Sequence, residues 1–168
     1  MATTAPAQIF KAYDVRGLHG EEIDGDVAES IGRAFARVLS DLGGKPVGEL
    51  RIGLGRDMRL SAPELAARYR DGMTSEGATV VDAGQVGSEM LYWLVGSREL
   101  DGGLMCTASH NPKAYTGAKL VKRGAIALSG DSGIGEVGRL AASGDLGAPA
   151  DTRGEYAEED VSEDFRRS

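Results

Sequence analysis

A serine lies among other reactive side chains at residues 107–112, which read Thr-Ala-Ser-His-Asn-Pro. The apolar run at residues 103–106 precedes this segment and predicts a buried strand. Ser109 is therefore expected on a loop at the end of a strand, where a rigid sheet often holds reactive groups. Its hydroxyl lies beside His110 and Asn111 in the sequence, and a proline closes the loop. The segment is typical of a functional site.

These residue types suit phosphoryl transfer. A serine hydroxyl is a poor nucleophile until a neighbouring base takes its proton. A phosphorylated serine carries nearly two negative charges, which a cation and aimed hydrogen-bond donors must neutralise. His110, Lys119 and the backbone amides of the loop can supply part of that neutralisation.

Two other interpretations of the loop stay open. A turn of this composition can simply cap a strand, because Thr, Ser and Asn side chains hydrogen-bond their own backbone. A serine next to a histidine also suggests a hydrolase, but the nucleophile elbow requires glycines where Thr107 and Asn111 stand. The other histidine, His19, has no triad-like context. Lys119 alone could be a surface lysine on a hairpin.

The segment from residue 107 to residue 119 closely resembles the phosphoserine loop of the α-D-phosphohexomutases, the phosphomannomutase/phosphoglucomutase family. The resemblance implies that Ser109 carries a phosphoryl group, gives it to a sugar phosphate and then takes it back. It also implies that Lys119 is the general acid/base beside the sugar hydroxyl, with His110 in the same catalytic group. The phosphate on Ser109 would be a ligand of Mg²⁺.

Three further segments extend the resemblance over nearly the whole chain. Residues 10–17 resemble the amino-terminal strand and turn of the family, which implies that Tyr13 and Arg16 line the active cleft. Arg16 would face a phosphate, for which its forked guanidinium is well suited. From the residues alone, Arg16 could also be an ordinary turn residue paired with Asp14.

Residues 55–61 resemble the Gly-Arg-Asp-x-Arg segment of the family, although these side chains could simply tie a loop to the next helix. The third segment, residues 82–92, departs from the family pattern. Many relatives have a Thr-Pro pair there, whereas this chain has Ser88 and Glu89. That departure leaves mannose, glucose and amino-sugar substrates all open.

The resemblance covers one of the four domains from which the family builds its cleft. The metal loop, the sugar loop and the phosphate loop of the other domains do not occur in these 168 residues. We therefore predict a first domain at residues 1–145, followed at residues 146–168 by an acidic linker to a second domain. The remaining domains of the same enzyme would be partners, most Mg²⁺ ligands would lie on the second, and this chain alone would be inactive.

The function predicted from the resemblance is phosphoryl transfer between the 1- and 6-positions of a hexose phosphate through Ser109. Glucose or mannose 1,6-bisphosphate would serve as activator and intermediate. The alternative is an isolated, non-catalytic domain that binds phosphosugars or regulates another protein. A phosphoryl group found on Ser109 in stoichiometric amount would separate the two, because it belongs to the mutase alone.

The elements that must position these residues alternate between helix and strand patterns. Apolar residues recur at helical spacing over residues 27–42, where Gly43 and Gly44 end the helix. Ser61 is expected to open a second helix with a capping box that includes Pro63 and Glu64. The other predictions are strands at residues 9–13, 50–54, 79–81 and 104–106, a short helix at 90–95, a hairpin at 119–128 and a last helix from Asp131 to Ala142. This order predicts an α/β fold with a mixed β-sheet layered between helices.

Composition excludes several classes of protein. The formal net charge is −7, which argues against nonspecific nucleic-acid binding. No apolar segment approaches the length of a membrane span, so no membrane partner is expected. One cysteine cannot form an internal disulfide, and the absence of a signal-peptide pattern favours the cytoplasm. Residues 151–168 hold seven acidic and three basic residues and are expected to be frayed.

Glycine-rich stretches do not support a nucleotide site. Residues 133–138 match Gly-x-Gly-x-x-Gly, but the polar stretch at 141–151 contains no strand to complete the fingerprint. At residues 53–58, Met58 occupies the place of the third glycine. The chain has no Walker sequence and no Cys/His cluster with metal-ligand spacing.

Overall fold

The fold was analysed in a computed structural model that describes residues 5–108, 114–129, 133–144 and 146–167. The strands are β1 (Val15–Leu18), β2 (Arg51–Arg56), β3 (Thr79–Gln85), β4 (Gly102–Cys106), β5 (Tyr115–Lys122), β6 (Ile126–Ala127) and β7 (Tyr156–Glu158). The helices are α1 (Gly25–Gly43), α2 (Ala62–Ser75), α3 (Ser88–Ser97), α4 (Gly135–Ser143) and α5 (Ser162–Arg167), with short 3-10 turns at Ala7–Ile9 and Val47–Glu49. None of the helices in the described ranges is long and apolar enough to cross a membrane.

The seven strands form one mixed sheet, as predicted. Its order is β1-β5-β4-β2-β3-β7, with β6 paired to β5. Strands β4, β2, β3 and β7 are neighbours in that order and are parallel. Helix α2 connects β2 to β3 and α3 connects β3 to β4, since parallel strands need a crossover connection. Strand β5 pairs antiparallel with both β4 and β1, so the sheet changes from parallel to antiparallel pairing at β5.

Helices cover both faces of the sheet and bury its centre. Helices α1, α2 and α4 pack on one face, against side chains such as Ile52 and Leu104. Helix α3 packs on the other face, against Met105 and Val121. Alternate residues of β4 therefore enter different cores, and the whole strand is buried. A strand buried on both faces reads as a continuous apolar run, which is why the sequence predicted it.

Local signals explain both ends of α1, but they do not explain the start of α2. The Asp24 carboxylate accepts a hydrogen bond from the Val27 amide at 2.8 Å and caps α1, while Gly44 ends it with φ of 61°. Helix α2 begins where predicted, but the Ser61 side chain makes no capping hydrogen bond. The Ser61 backbone is already helical, so its hydroxyl does not hold the position of an N-cap. Asp131, the predicted cap of α4, lies outside the described residues.

The first strand lies later than predicted. Residues 9–13 do not form a strand, because the chain makes a 3-10 turn at Ala7–Ile9 and β1 begins at Val15. The Lys11 amide donates to the Asp14 carbonyl at 2.8 Å, which bends the chain before the strand. Strand β1 is defined by its pairing with β5, a long-range contact that no local pattern contains.

The expectation that residues 151–168 are frayed is wrong. Strand β7 extends the parallel sheet by pairing with β3, and Val161 is only 1% exposed. Arg98, which follows α3, forms an ion pair with Glu159 at 2.6 Å, and the Trp93 and Phe165 rings meet edge to face. Glu159 and Asp164 therefore share a basic partner, Arg98, elsewhere in the domain, which composition alone did not reveal.

We predict that a chain ending at residue 145 is less stable than the 168-residue chain. The truncation removes β7 and the buried side chains of Leu146 and Val161. Burial of each such side chain contributes about 1.5–3 kcal/mol, so the free energy of unfolding should fall by at least about 3 kcal/mol. Urea denaturation followed by circular dichroism measures this.

The control is a chain ending at residue 161. It keeps β7 and Val161 and loses α5, in which no residue is buried. Its denaturation midpoint should fall much less than that of the chain ending at 145, because it loses only partly exposed contacts such as the edge-to-face contact of Phe165 with Trp93. Equal midpoints for the chains ending at 145 and 168 would instead support the domain boundary at residue 145 that the sequence suggested.

Candidate functional site

The strand that precedes the predicted site in the sequence, β4, ends at the same edge of the sheet as its parallel neighbour β2. Strand β4 ends at Cys106 and continues into Thr107 and Ala108, which are 7% and 1% exposed. The Thr107 amide donates to the Gly117 carbonyl at 3.0 Å, so the start of the loop is held by β5. Ser109 and His110 lie outside the described residues, and their placement stays a prediction. In open α/β sheets this edge is the usual site of ligand binding.

Lys119 lies in the middle of β5, which pairs with β6 to form the hairpin that was predicted at residues 119–128. Its partner across the ladder is Met105, one residue before the end of β4. Gly117 is also a regular residue of this strand. Side chains alternate along a strand, and Val121 belongs to the core on the α3 face. Lys119 therefore emerges on the α3 face, close to the edge at which the Ser109 loop begins.

Arg16 is brought to the same face as Lys119. It pairs with Gly117 across the β1–β5 ladder, and Lys119 follows two residues later in β5. Diagonal neighbours of this kind are about 7–8 Å apart. Arg16 Nε donates to the Asp14 carboxylate at 3.2 Å, as the sequence allowed. The two terminal nitrogens of the guanidinium take no part in that bond, so the side chain can still meet an anion.

Tyr13 precedes β1 and is 72% exposed. Most large apolar side chains in this domain are buried, so this ring is available for contact with a ligand or another domain. The structure thus places Tyr13 and Arg16 near one end of β1, beside the strand that bears Lys119.

Gly117 permits the close approach of β1 to β5 that unites Arg16 and Lys119. A Cβ atom on Gly117 would lie 1.9 Å from the Val15 carbonyl oxygen. That neighbour is backbone, so it cannot move without shifting the strand. We expect Gly117→Ala to lower the free energy of unfolding by about 1–3 kcal/mol, as overpacked sites do. Thermal and urea denaturation of the purified variant measure the change.

Gly96→Ala is the matched control for that experiment. Gly96 lies in α3, and a Cβ atom there would meet nothing within 4 Å. Alanine in a helix is more favourable than glycine, so this variant should be as stable as the native chain or more stable. Similar losses in both variants would contradict the steric argument for Gly117.

A polar cavity of about 500 Å³ lies at the same edge, between the ends of β2 and β3 and the segment after β7. Arg56, Asp82 and Glu158 are among the residues that line it. Arg56 Nε is buried and has no hydrogen-bond partner among the described residues. Strand β3 bulges beside it, where Gly84 has a φ of 74°. The sequence carried no signal of this cavity, because it depends on the pairing of β7.

Burial argues against Cys106 as the reactive group. Burial, together with the negative charge of Asp57, raises the pKa of the Cys106 thiol to about 12. A thiol is nucleophilic only as its thiolate, so Cys106 is inert near neutral pH. Burial also raises the pKa of Tyr69 well above its ordinary range. Neither group competes with the serine of the loop.

The described residues do not by themselves offer a metal site. Within these ranges, no group of three or more His, Cys, Asp or Glu side chains is placed to hold a metal ion. The Mg²⁺ predicted from the resemblance would need the phosphate on Ser109 and ligands from elsewhere, because Mg²⁺ requires six oxygen positions. It stays a prediction.

Comparison with known proteins identifies similar chains. A family model described as phosphoglucomutase/phosphomannomutase, alpha/beta/alpha domain I, matches residues 7–139. The phosphomannomutase of Salmonella montevideo is 43% identical over 148 residues, which cover 88% of this chain and 31% of that protein. A phosphoglucomutase of Neisseria gonorrhoeae is 40% identical over 157 residues, covering 92% of this chain and 32% of its own length.

A solved structure agrees with these matches. The crystal structure of a phosphoglucomutase/phosphomannomutase family protein from Burkholderia thailandensis superposes with a TM-score of 0.83 at 35% identity. The match covers 96% of this chain and 35% of that one. The chain thus spans about a third of the length of these relatives.

Proposed function

Since the chain belongs to the phosphoglucomutase/phosphomannomutase family, whose domain I it matches, we propose that it carries the nucleophile of a hexose-phosphate mutase. The observation that supports the proposal is the Thr-Ala-Ser-His-Asn-Pro segment, which in the sequence follows buried β4, a strand that ends at the edge where open α/β sheets usually bind ligands. Two basic residues, Arg16 and Lys119, emerge on one face beside that edge. Basic groups of this kind suit a doubly charged phosphate.

The proposed reaction has two phosphoryl transfers with a reorientation between them. In the first, the bond between Ser109 Oγ and phosphorus breaks as the 6-hydroxyl oxygen of a 1-phosphosugar bonds to phosphorus. One proton leaves the sugar hydroxyl, and one reaches the departing serine oxygen. The 1,6-bisphosphate then reorients, and Ser109 Oγ takes the phosphoryl group from position 1 with the opposite flow of protons. Such transfers depend on positioning and charge stabilisation.

Each predicted residue has a distinct part in this scheme. Lys119 Nζ accepts the proton of the sugar hydroxyl in the first transfer and returns a proton to the sugar oxygen in the second. Arg16 binds the phosphate that is not being transferred, through the guanidinium nitrogens that Asp14 does not engage. His110 helps to neutralise the charge on the phosphoserine, and Tyr13 contacts the sugar. Mg²⁺, when bound, would neutralise charge on the transferred group.

The second candidate is a phosphosugar-binding or regulatory domain without turnover. It draws on the fact that this chain spans about a third of its relatives' length. The deciding experiment is intact-protein mass spectrometry after incubation of the complete enzyme with glucose 1,6-bisphosphate. One added phosphoryl group per chain, mapped to Ser109, supports the mutase. An unmodified protein that still binds phosphosugars would support the second candidate instead.

Lys119→Met in the complete enzyme tests the proposed acid/base. Methionine keeps a similar length and removes the proton acceptor, so kcat should fall by about 10²–10⁴-fold while KM changes little. Steady-state assays with glucose 1-phosphate and mannose 1-phosphate measure both constants. Lys122→Met is the control, since Lys122 ends the same strand three residues farther from the edge. A Lys119→Met enzyme with near-native kcat would make Lys119 a surface lysine only.

A further inference from the structure

Asp57 and Arg59 contact both ends of the segment that contains Ser109. On the entry side, the Asp57 amide donates to the carbonyl of Cys106 at 3.1 Å. On the exit side, Arg59 Nη1 donates to the carbonyl of Tyr115 at 3.2 Å. These two residues lie just after β2, so they belong to a different part of the chain from the loop that they join.

An ion pair connects the two contacts. Arg59 Nε lies 3.3 Å from Asp57 Oδ2, and the Arg59 amide donates to Asp57 Oδ1 at 3.0 Å. Both carboxylate oxygens are thus engaged by one residue. The two side chains are only 18% and 19% exposed, so solvent screens this pair less than a surface pair. The Asp57 backbone is thus bonded to Cys106, its carboxylate is paired with Arg59, and Arg59 is bonded to Tyr115, so the pair links the two ends of the loop.

We propose that the Asp57–Arg59 ion pair is a positioning device for the nucleophile, which fixes the separation of the two ends of the loop that carries Ser109. The inference rests on the proposed function, because it assigns these residues a part in phosphoryl transfer through Ser109. They act through the backbone at Cys106 and Tyr115 and are not catalytic residues. An ordinary link between β2 and α2 would not need a bond to Tyr115.

The guanidinium group is required for this role. A single planar group reaches Asp57 with Nε and Tyr115 with Nη1, and its forked geometry holds both bonds at once. Lysine has one point-like ammonium group at the end of a flexible stem, so it cannot reproduce that geometry. Small displacements of a reacting group can lower rates by about 10²-fold, even when the change lies away from the chemistry.

The test uses Arg59→Lys and Asp57→Asn in the complete enzyme, with Arg68→Lys as the control. Arg68 also forms an ion pair, with Asp26 at 2.8 Å, but that pair is more exposed and joins α1 to α2. We expect kcat to fall about 10–100-fold in the first two variants, KM to change less than about threefold, and the control to match the native enzyme. The double variant should be little worse than either single one, because both changes break the same link.

Hydrogen exchange in the 168-residue chain provides a readout that does not depend on activity. The Thr107 amide, bonded to Gly117, should exchange faster in Arg59→Lys and Asp57→Asn than in the native chain and in Arg68→Lys. Amides at the centre of the sheet, such as that of Leu54, should be unchanged. This pattern would separate release of the loop from general loss of stability.

The outcomes distinguish the two hypotheses. If the native enzyme neither acquires phosphate on Ser109 nor turns over hexose phosphate, the proposed function fails, while Thr107 exchange still decides whether the ion pair holds the loop. Unchanged Thr107 exchange in both variants overturns the inference. Faster exchange with native kcat shows that the link exists but does not position the nucleophile, which also overturns it. Asp57→Asn keeps this test decisive if Arg59→Lys folds poorly.

Discussion

Replacement of Ser109 by alanine in the complete enzyme should lower kcat by at least about 10⁴-fold, because the proposed reaction passes through a covalent bond to its oxygen. No other group described near the loop can take over this role. The Cys106 thiol is buried, with its pKa raised to about 12. Steady-state kinetics and phosphopeptide mapping after incubation with glucose 1,6-bisphosphate are the measurements.

Two serines provide controls for this experiment. Ser88 begins α3, and Ser129 follows the β5–β6 hairpin, so both lie in the same domain without being in the loop. Ser88→Ala and Ser129→Ala should retain native kcat, and neither residue should carry label. Circular dichroism should show that Ser109→Ala keeps its fold. Label on Ser88 or Ser129 would refute the assignment of the nucleophile.

The 168-residue chain by itself should show no measurable turnover. The described residues bring together Arg16 and Lys119, but they supply no metal-binding group and few side chains for a hexose. Positioning commonly contributes about 7–11 kcal/mol to lowering a barrier, so loss of most of the cleft should cost many orders of magnitude. The measurement is a coupled assay with mannose 1-phosphate, glucose 1-phosphate, the bisphosphate activator and Mg²⁺.

The complete enzyme, assayed under the same conditions, is the reference for that comparison. The isolated chain should nevertheless unfold cooperatively, since its sheet is covered by helices on both faces. Turnover within about a hundredfold of the complete enzyme would mean that the domain builds a competent site by itself or by self-association. Size-exclusion chromatography of the active sample would then separate these two explanations.

Signals carried by short stretches of sequence predicted much of the fold. Apolar spacing predicted α1, and its buried stripe follows from the helical period. The continuous apolar run predicted β4, because a strand buried on both faces has no polar alternation. The Thr-Ala-Ser-His-Asn-Pro segment directed attention to the edge at which β4 ends. In each case the signal is a pattern of neighbouring residues, so it can be recognised in the sequence without the fold.

Other features depend on which strands pair, and no local pattern specifies that. Strand β1 is defined by its pairing with β5, where Gly117 permits a close backbone approach. The acidic residues after position 150 were expected to be frayed, yet β7 is ordered by pairing with β3. From the sequence alone, this charged segment was expected to be solvated, because an ion-pair partner such as Arg98 lies far away in the chain.

The candidate site likewise combines features that the sequence indicates with features that only the tertiary structure sets. Through its resemblance to the phosphohexomutase family, the sequence singled out Ser109, Lys119 and Arg16 as candidates, because that resemblance rests on motifs of neighbouring residues. Only the tertiary structure placed Arg16 beside Lys119 on one face, through the register of β1 and β5. Only the tertiary structure joined Asp57 and Arg59 to both ends of the Ser109 loop. Register and tertiary hydrogen bonds are set by packing of the whole domain, and that packing becomes visible only once the chain is folded.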